Sequence, residues 1–419
     1  MDRIIRAFRQ LAEDPAYLAR YLKQCIHYAE MALAFLLLIP FRKKKYAENL
    51  WLVTEKGTEA RDNGYHFFRY VKTAHPEINI RYVISRDSAD FGKVSPFGKP
   101  VILNSWKHFF CSLYAKASIS SQAFGAMPEP PEKMLAFSKG MRREDQILIF
   151  LQHGIIKDEL PHALDYRNTH YDLFCCSSEQ ERRFVQQIHG YPDENIKALG
   201  LCRFDNLLQS HEVQKQILVM PTFRMWLLTA DAAGEATEKE KKIFEQSAFF
   251  EAYASLLTDE SLLGTLRREG YRLVFYPHYV FQPYIGCFRK FGNDVVRIAD
   301  RQQYDVQQLL MESSLLVTDF SSVFFDFAYM GKPEVFYQFD EEQYRGSHYK
   351  KGYFDYRDNG FGPVFTARNE VIREIVRQAE QGCVMYDEYR KRVDAFFLFR
   401  DTDNCRRTFE EIRRKAVAK

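Results

Sequence analysis

Long apolar runs are missing from this 419-residue chain. A helix that crosses a bilayer needs about 20 apolar residues. The best candidate, MALAFLLLIPF at 31–41, is too short and is preceded by Arg20, Lys23, His27 and Glu30. It has no small-residue cleavage site, so a secretory signal peptide is not expected. Cys-x-x-Cys spacing is missing too. The eight cysteines are scattered, with only Cys175 and Cys176 adjacent, so no tetrahedral zinc site is read and reduced, buried thiols are expected. A net charge of +3 excludes a general polyanion binder, and no nucleic-acid partner is expected. Tandem repeats and low-complexity linkers are absent. No D-x-D motif of the sort metal-dependent transferases use at a diphosphate is read, so no cofactor is called for and divalent-metal dependence stays open.

What charge there is lies at one end. Residues 1–45 carry nine Lys or Arg against four Asp or Glu, a local +5 that leaves the rest of the chain at −2. The apolar run at 31–41 is followed by Arg42-Lys43-Lys44-Lys45. An amphipathic segment lying on an anionic membrane surface fits this pattern. A helix packed on the body with its basic end in water fits it as well.

From residue 49 the chain alternates short apolar runs with helical periodicity. Strand candidates are 49–54, 80–84, 118–121, 147–151 and 173–176. A polar stretch at 201–212 precedes a second series at 216–220, 272–276, 295–298, 314–318 and 334–337. Helices are expected at 61–72, 247–257, 304–312 and 388–415. Alternation of this kind implies parallel sheets covered on both faces. The expected architecture is α/β and GT-B-like: two doubly wound Rossmann-type domains facing a cleft, with an N-terminal amphipathic helical segment. The expected divisions are 1–45 for membrane association, 46–210 for an acceptor domain, 211–390 for a nucleotide-donor domain and 391–419 for a helix closing back on the body.

Ligands of such sheets bind beyond the carboxyl ends of the strands, and four strand ends carry polar groups suited to phosphate. Gln152-His153-Gly154 offers an imidazole with a pKa near neutrality and a glycine that permits a tight turn, or else a loop histidine without a role. Thr222 and Arg224, after 216–220, supply a hydroxyl and a guanidinium. His278, after 272–276, is a second strand-end histidine. Asp319, Ser321, Ser322 and Asp326 follow 314–318, where two serines precede a helix expected from about Val323. Backbone N–H groups at a helix start bind phosphate, and serine there also serves as a plain N-cap.

In these strings the sequence resembles the CDP-glycerol glycerophosphotransferase family of teichoic acid and capsule synthesis. The matching segments are RDNGYHFFRYV (61–71), QHGIIKD (152–158), GLCRFDNLL (200–208), LVMPTFR (218–224), YPH (276–278), TDFSSVFFDFAYMGKP (318–333), FDEEQYR (339–345) and GYFDYRDNGFGP (352–363). The resemblance implies an enzyme at the cytoplasmic face of the membrane. It would take CDP-glycerol or another CDP-polyol and transfer the polyol phosphate to a lipid-linked glycan or growing polymer, releasing CMP. Ribitol phosphate and a nucleotide sugar are the alternative donors. By the same resemblance His153 is the general base and His278 contacts the transferring phosphate. Ser321 and Ser322 hold phosphate, Thr222 and Arg203 orient the donor, and Asp326 binds donor hydroxyls. Gln152, Gly154, Arg224 and Asp319 complete the substrate-binding set. The chain departs from the family where Ile155 replaces Thr, Gln152 replaces Trp, Cys202 replaces Pro and Phe320 replaces Tyr. The loss of a hydroxyl at Ile155 bears on donor or acceptor identity more than on reaction type. The polyol, the acceptor, priming versus polymerising, and oligomeric state are not legible.

Overall fold

The computed structural model describes residues 15–39, 49–160, 162–228, 236–347 and 350–419. Arg3, Arg6, Arg9 and the Arg42–Lys45 cluster lie outside the described residues.

Thirteen short strands among the described residues form two wholly parallel sheets. The first contains β1 (Trp51–Thr54), β2 (Ile80–Ile84), β3 (Val101–Ile102), β4 (Ala117–Ser120), β5 (Ile147–Phe150), β6 (Leu173–Cys176) and β7 (Ile196–Ala198), in the order β3-β2-β1-β4-β5-β6-β7. The second contains β8 (Gln216–Val219), β9 (Arg272–Phe275), β10 (Val296–Ile298), β11 (Leu315–Thr318), β12 (Glu334–Tyr337) and β13 (Val364–Phe365), in the order β10-β9-β8-β11-β12-β13. Strands such as ILIF, LFCC and LLVT are buried at every position. Their unbroken apolar character follows from burial on both faces. The strand order reverses between β1 and β4 in one sheet and between β8 and β11 in the other. Those reversals open the crevices where ligands of doubly wound folds sit. β3, β7 and β13 are two or three residues long and were not among the expected strands.

The helices that place the site are α1 (Pro15–Leu38), α2 (Asn63–Ala74), α3 (Trp106–Tyr114), α4 (Glu179–His189), α5 (Val323–Tyr329), α6 (Glu341–Ser347), α7 (Asp387–Phe396) and α8 (Asn404–Ala418). α1 lies on α3 through Met31, Ala34 and Leu38, which pack with Phe109, Leu113 and Met134. His27 Nδ1 is 2.6 Å from the Glu129 carbonyl oxygen, and the Tyr114 hydroxyl donates to the Leu38 carbonyl. The opposite face of α1 is apolar and open: Leu18, Leu22, Ile26, Leu33, Leu36 and Leu37 are 40–58% exposed. Among the described residues no helix is long and apolar enough to cross a membrane.

The expected single helix at 388–415 is two helices, separated by a turn at 397–403. α7 buries Val393 and Phe396 in the core of the second sheet, whereas α8 buries Cys405, Phe409 and Ile412 against Trp51 and Phe67 of the first. The chain must cross from one core to the other between them, so a continuous helix is excluded. The Asp205 carboxylate accepts the Asn404 and Cys405 N–H groups at 2.8 Å, an anion on the positive end of α8. Gly200, at φ +83°, makes this approach possible. A β-carbon there would stand 1.7 Å from Asn404 Oδ1.

Candidate active site

The turn after β5 is built from the inside. Gln152 holds the left-handed backbone conformation (φ 63°), uncommon for a residue with a side chain. That side chain turns away from the cleft. Its Nε2 donates to Glu181 Oε1 at 3.2 Å and to the Cys175 carbonyl. Glu181, on α4, also accepts the N–H groups of Ile156 (2.7 Å) and Ser177 (2.6 Å), and burial pushes its carboxyl up to about 7. The Asn63 side-chain amide donates to the Gln152 carbonyl at 2.7 Å.

With Gln152 anchored inward, His153 is the exposed residue of the turn. The ring bonds the Ser121 carbonyl at the end of β4. This fixes one nitrogen as the donor and leaves the other free to accept a proton. The surrounding protein lowers its pKa, chiefly by desolvation. Arg203 and Lys56 lower it further, and Asp62 opposes them. The imidazole is therefore neutral at pH 7, the form a general base requires.

Across the cleft, the turn after β11 brings Ser321 and Ser322, both half-buried. A β-carbon on Gly154 would sit 3.1 Å from Ser322 Oγ. The two loops meet with no room for a side chain between them.

His278 lies half-buried after β9. Its N–H donates to the Pro221 carbonyl at 3.1 Å, and its Nδ1 accepts from Val280 N–H at 3.3 Å. An accepting Nδ1 leaves the proton on Nε2, making that nitrogen the donor of the ring. The Phe223 ring, 4.8 Å away, supports the imidazole. Beside it Thr222 is buried with an unpartnered hydroxyl, its N–H donating to Asp319 Oδ1 at 2.8 Å.

Four residues that the sequence placed against substrate have their charges committed elsewhere. Arg224 is fully buried, with its guanidinium 2.9 Å from Asp319 and 2.7 Å from Asp340, among the rings of Phe249, Phe320, Phe339 and Tyr344. Asp319 accepts further from Phe320 N–H and the Tyr253 hydroxyl. Arg203 donates to both Asp326 oxygens (2.6 and 2.8 Å), to Asp62 (2.7 Å) and to the His153 carbonyl (3.1 Å). These ion pairs leave Arg224 and Asp319 no free polar face toward the cleft. Arg203 and Asp326 are 8% and 4% exposed.

A second link runs through Asp158, paired with Lys157 on its own loop and with Arg345 of α6 at 2.7 Å. Ile155 packs into the core of the second sheet. The hydroxyl missing at this position is replaced by apolar contact between domains, not by open space around the base.

Sequence reasoning passed over Glu55, Asp62, Asn63 and Ser121. Glu55 and Ser121 directly follow β1 and β4, the two strands that flank the first crevice, so the strand-end rule applied there would have found them, whereas Asp62 and Asn63 stand at the start of α2. A literal D-x-D string does occur, Asp401-Thr402-Asp403. It lies in the turn between α7 and α8, where Asp401 pairs with Arg407 and Asp403 with Arg406.

Two doubly wound domains whose strand-end turns meet at Gly154 and Ser322 define a GT-B-like scaffold. The wall teichoic acid polymerase TagF shares this fold, with a TM-score of 0.67 at 17% identity over 99% of this chain and 98% of that one. The family model described as CDP-glycerol:poly(glycerophosphate) glycerophosphotransferase matches residues 35–414, and the chain belongs to that family. The minor teichoic acid biosynthesis protein GgaB of Bacillus subtilis (strain 168) is 32% identical over 364 residues, 87% of this chain and 39% of that protein. The teichoic acid poly(glycerol phosphate) polymerase of Bacillus spizizenii (strain ATCC 23059 / NRRL B-14472 / W23) is 33% identical over 230 residues, 52% of each. The chain thus spans about two-fifths to half the length of these relatives.

Proposed function

We propose that this protein transfers glycerol phosphate from CDP-glycerol to a hydroxyl of a lipid-linked glycan or growing polymer in teichoic-acid-like synthesis. The acceptor oxygen attacks the β-phosphorus while His153 takes its proton. The bond from that phosphorus to the oxygen bridging it to the CMP phosphate breaks, and CMP leaves as an anion. His278 Nε2–H, the Ser321 and Ser322 hydroxyls and the unpartnered Thr222 hydroxyl stabilise the phosphoryl oxygens. Such transfer depends on positioning and charge neutralisation more than on covalent chemistry.

The observation that carries this reading is the meeting of the His153-Gly154 turn with Ser322 in a chain of this family. The test is incubation with CDP-glycerol, CDP-ribitol and a nucleotide sugar, with the released nucleotide identified. CMP from CDP-glycerol supports the proposal, and CMP from CDP-ribitol alone moves it to the other polyol. A nucleoside diphosphate would make it a sugar transferase.

The same proposal places the protein peripherally at the cytoplasmic face of the membrane. The support is the open apolar face of α1 together with the basic residues at 42–45, a pairing suited to an anionic interface. A membrane-held acceptor gives such a face a purpose.

A further inference from the structure

We infer that Arg203 and Asp62 are positioning residues for His153, holding the base's turn against the second domain and setting the charge around it, and are not ligands of the donor. The inference takes His153 as the base from the reading above.

The hydrogen-bond ledger of Arg203 argues for this. A guanidinium has five N–H donors. Two go to Asp326 on α5, one to Asp62 and one to the His153 carbonyl. One donor remains, too few for a bidentate phosphate clamp. The main chain is committed as well, since Arg203 N–H donates to Asn63 Oδ1 at 2.9 Å. That asparagine in turn holds the Gln152 carbonyl, so two consecutive carbonyls of the base's turn are gripped from the same side.

Asp62 is equally constrained. Its N–H is held by Glu55 at 2.8 Å, and Glu55 also accepts from Arg61 and Tyr65 at 2.9 Å. Its carboxylate accepts from Asn63 N–H and Arg203. The chain Glu55–Asp62–Arg203–Asp326 thus runs from the end of β1 to the second domain and passes beside the base.

Arrangement and charge have separate consequences. The groups facing the imidazole are Asp62 from the loop before α2, Arg203 from the turn after β7, Lys56 from the loop after β1 and the Ser121 carbonyl from the end of β4. Asp326 of the second domain pairs with Arg203. Removing Asp62's charge leaves Arg203 beside the ring and disfavours imidazolium. Removing Arg203's charge leaves Asp62 there and favours it.

The experiment is a ring-proton NMR titration of His153 in the full chain without substrate, with the resonance assigned by its loss in His153→Gln. It is paired with kcat–pH profiles and CDP-glycerol titration calorimetry. Asp62→Asn, which keeps the helix cap, is expected to lower the His153 pKa and move the acid limb of kcat down. Arg203→Gln is expected to raise the pKa and move the limb up. Arg203→Lys keeps the charge but loses the fork, so kcat should fall about tenfold or more with the His153 pKa near that of wild type and donor affinity within about threefold. Thermal melts verify folding. If Arg203→Gln does not fold, the other two variants carry the test. Shifts in the same direction, or none, would overturn the inference, as would a donor affinity weakened more than about tenfold. A wild-type protein that releases no CMP sinks the substrate reading instead, and the NMR arm still decides this one.

Discussion

Gly154 of the first domain and Ser322 of the second approach so closely that a single methyl group on the glycine would stand 3.1 Å from the serine hydroxyl. Gly154 is not in the left-handed region, so the constraint is space and not backbone strain. Gly154→Ala is expected to push the two loops apart by a few tenths of an ångström. Turnover should fall about tenfold, since small displacements of reacting groups are costly, while the melting temperature stays within a few degrees of wild type. Steady-state kinetics beside a thermal melt measure both; unchanged kcat would show that this contact does not set the distance between base and phosphate.

His153→Ala should cost roughly 10²–10⁴-fold in kcat, the range for loss of a general base, with CDP-glycerol binding retained. Desolvation by the surrounding protein lowers the imidazole's pKa, so the neutral, active form persists below the ordinary value of about 6.5. The acid limb of the kcat profile should accordingly lie below that pH. A limb above it would contradict the desolvation of the ring.

Arg224 offers a contrasting case. Arg224→Ala strands the Asp319 and Asp340 carboxylates in an aromatic-lined interior. Breaking a buried pair from one side costs about 3–5 kcal/mol, and the loss should appear as a lower urea midpoint. A fully stable variant with weakened donor binding would return Arg224 to the substrate contacts.

On α1, replacing Leu22, Ile26 and Leu33 by Ser removes much of the exposed apolar stripe without touching the Met31–Ala34–Leu38 face that docks on α3. Co-sedimentation with anionic vesicles should fall sharply, while turnover of a water-soluble acceptor remains. Undiminished pelleting would show that another surface holds the membrane.

Much of this architecture was legible in the sequence because buried parallel strands must be apolar along their whole length. ILIF, LFCC and LLVT cannot easily be anything else between polar turns. Two-residue strands such as Val101–Ile102 carry too little pattern to be seen. The break between α7 and α8 was hidden because both flanks are periodic, and periodicity does not say which core a face will join. For the site, strand-end position singled out His153, His278 and the serine pair, and the fold sets the His153-Gly154 turn against Ser322. Strand-end position also singled out Arg224, since a guanidinium after a strand looks like a phosphate ligand, whereas the fold pairs it with Asp340, 116 residues further on. Asp62 and Arg203 are 141 residues apart, and only the fold brings them to one imidazole.

Phe409 and Ile412 of α8 fill the core over Trp51 and Phe67, so the first of the two domains is completed by residues synthesised after the second. Domains usually fold as units in the order they emerge from the ribosome. Here the N-terminal sheet must wait, with an apolar seam open, until the second domain has been made and α8 arrives to close it.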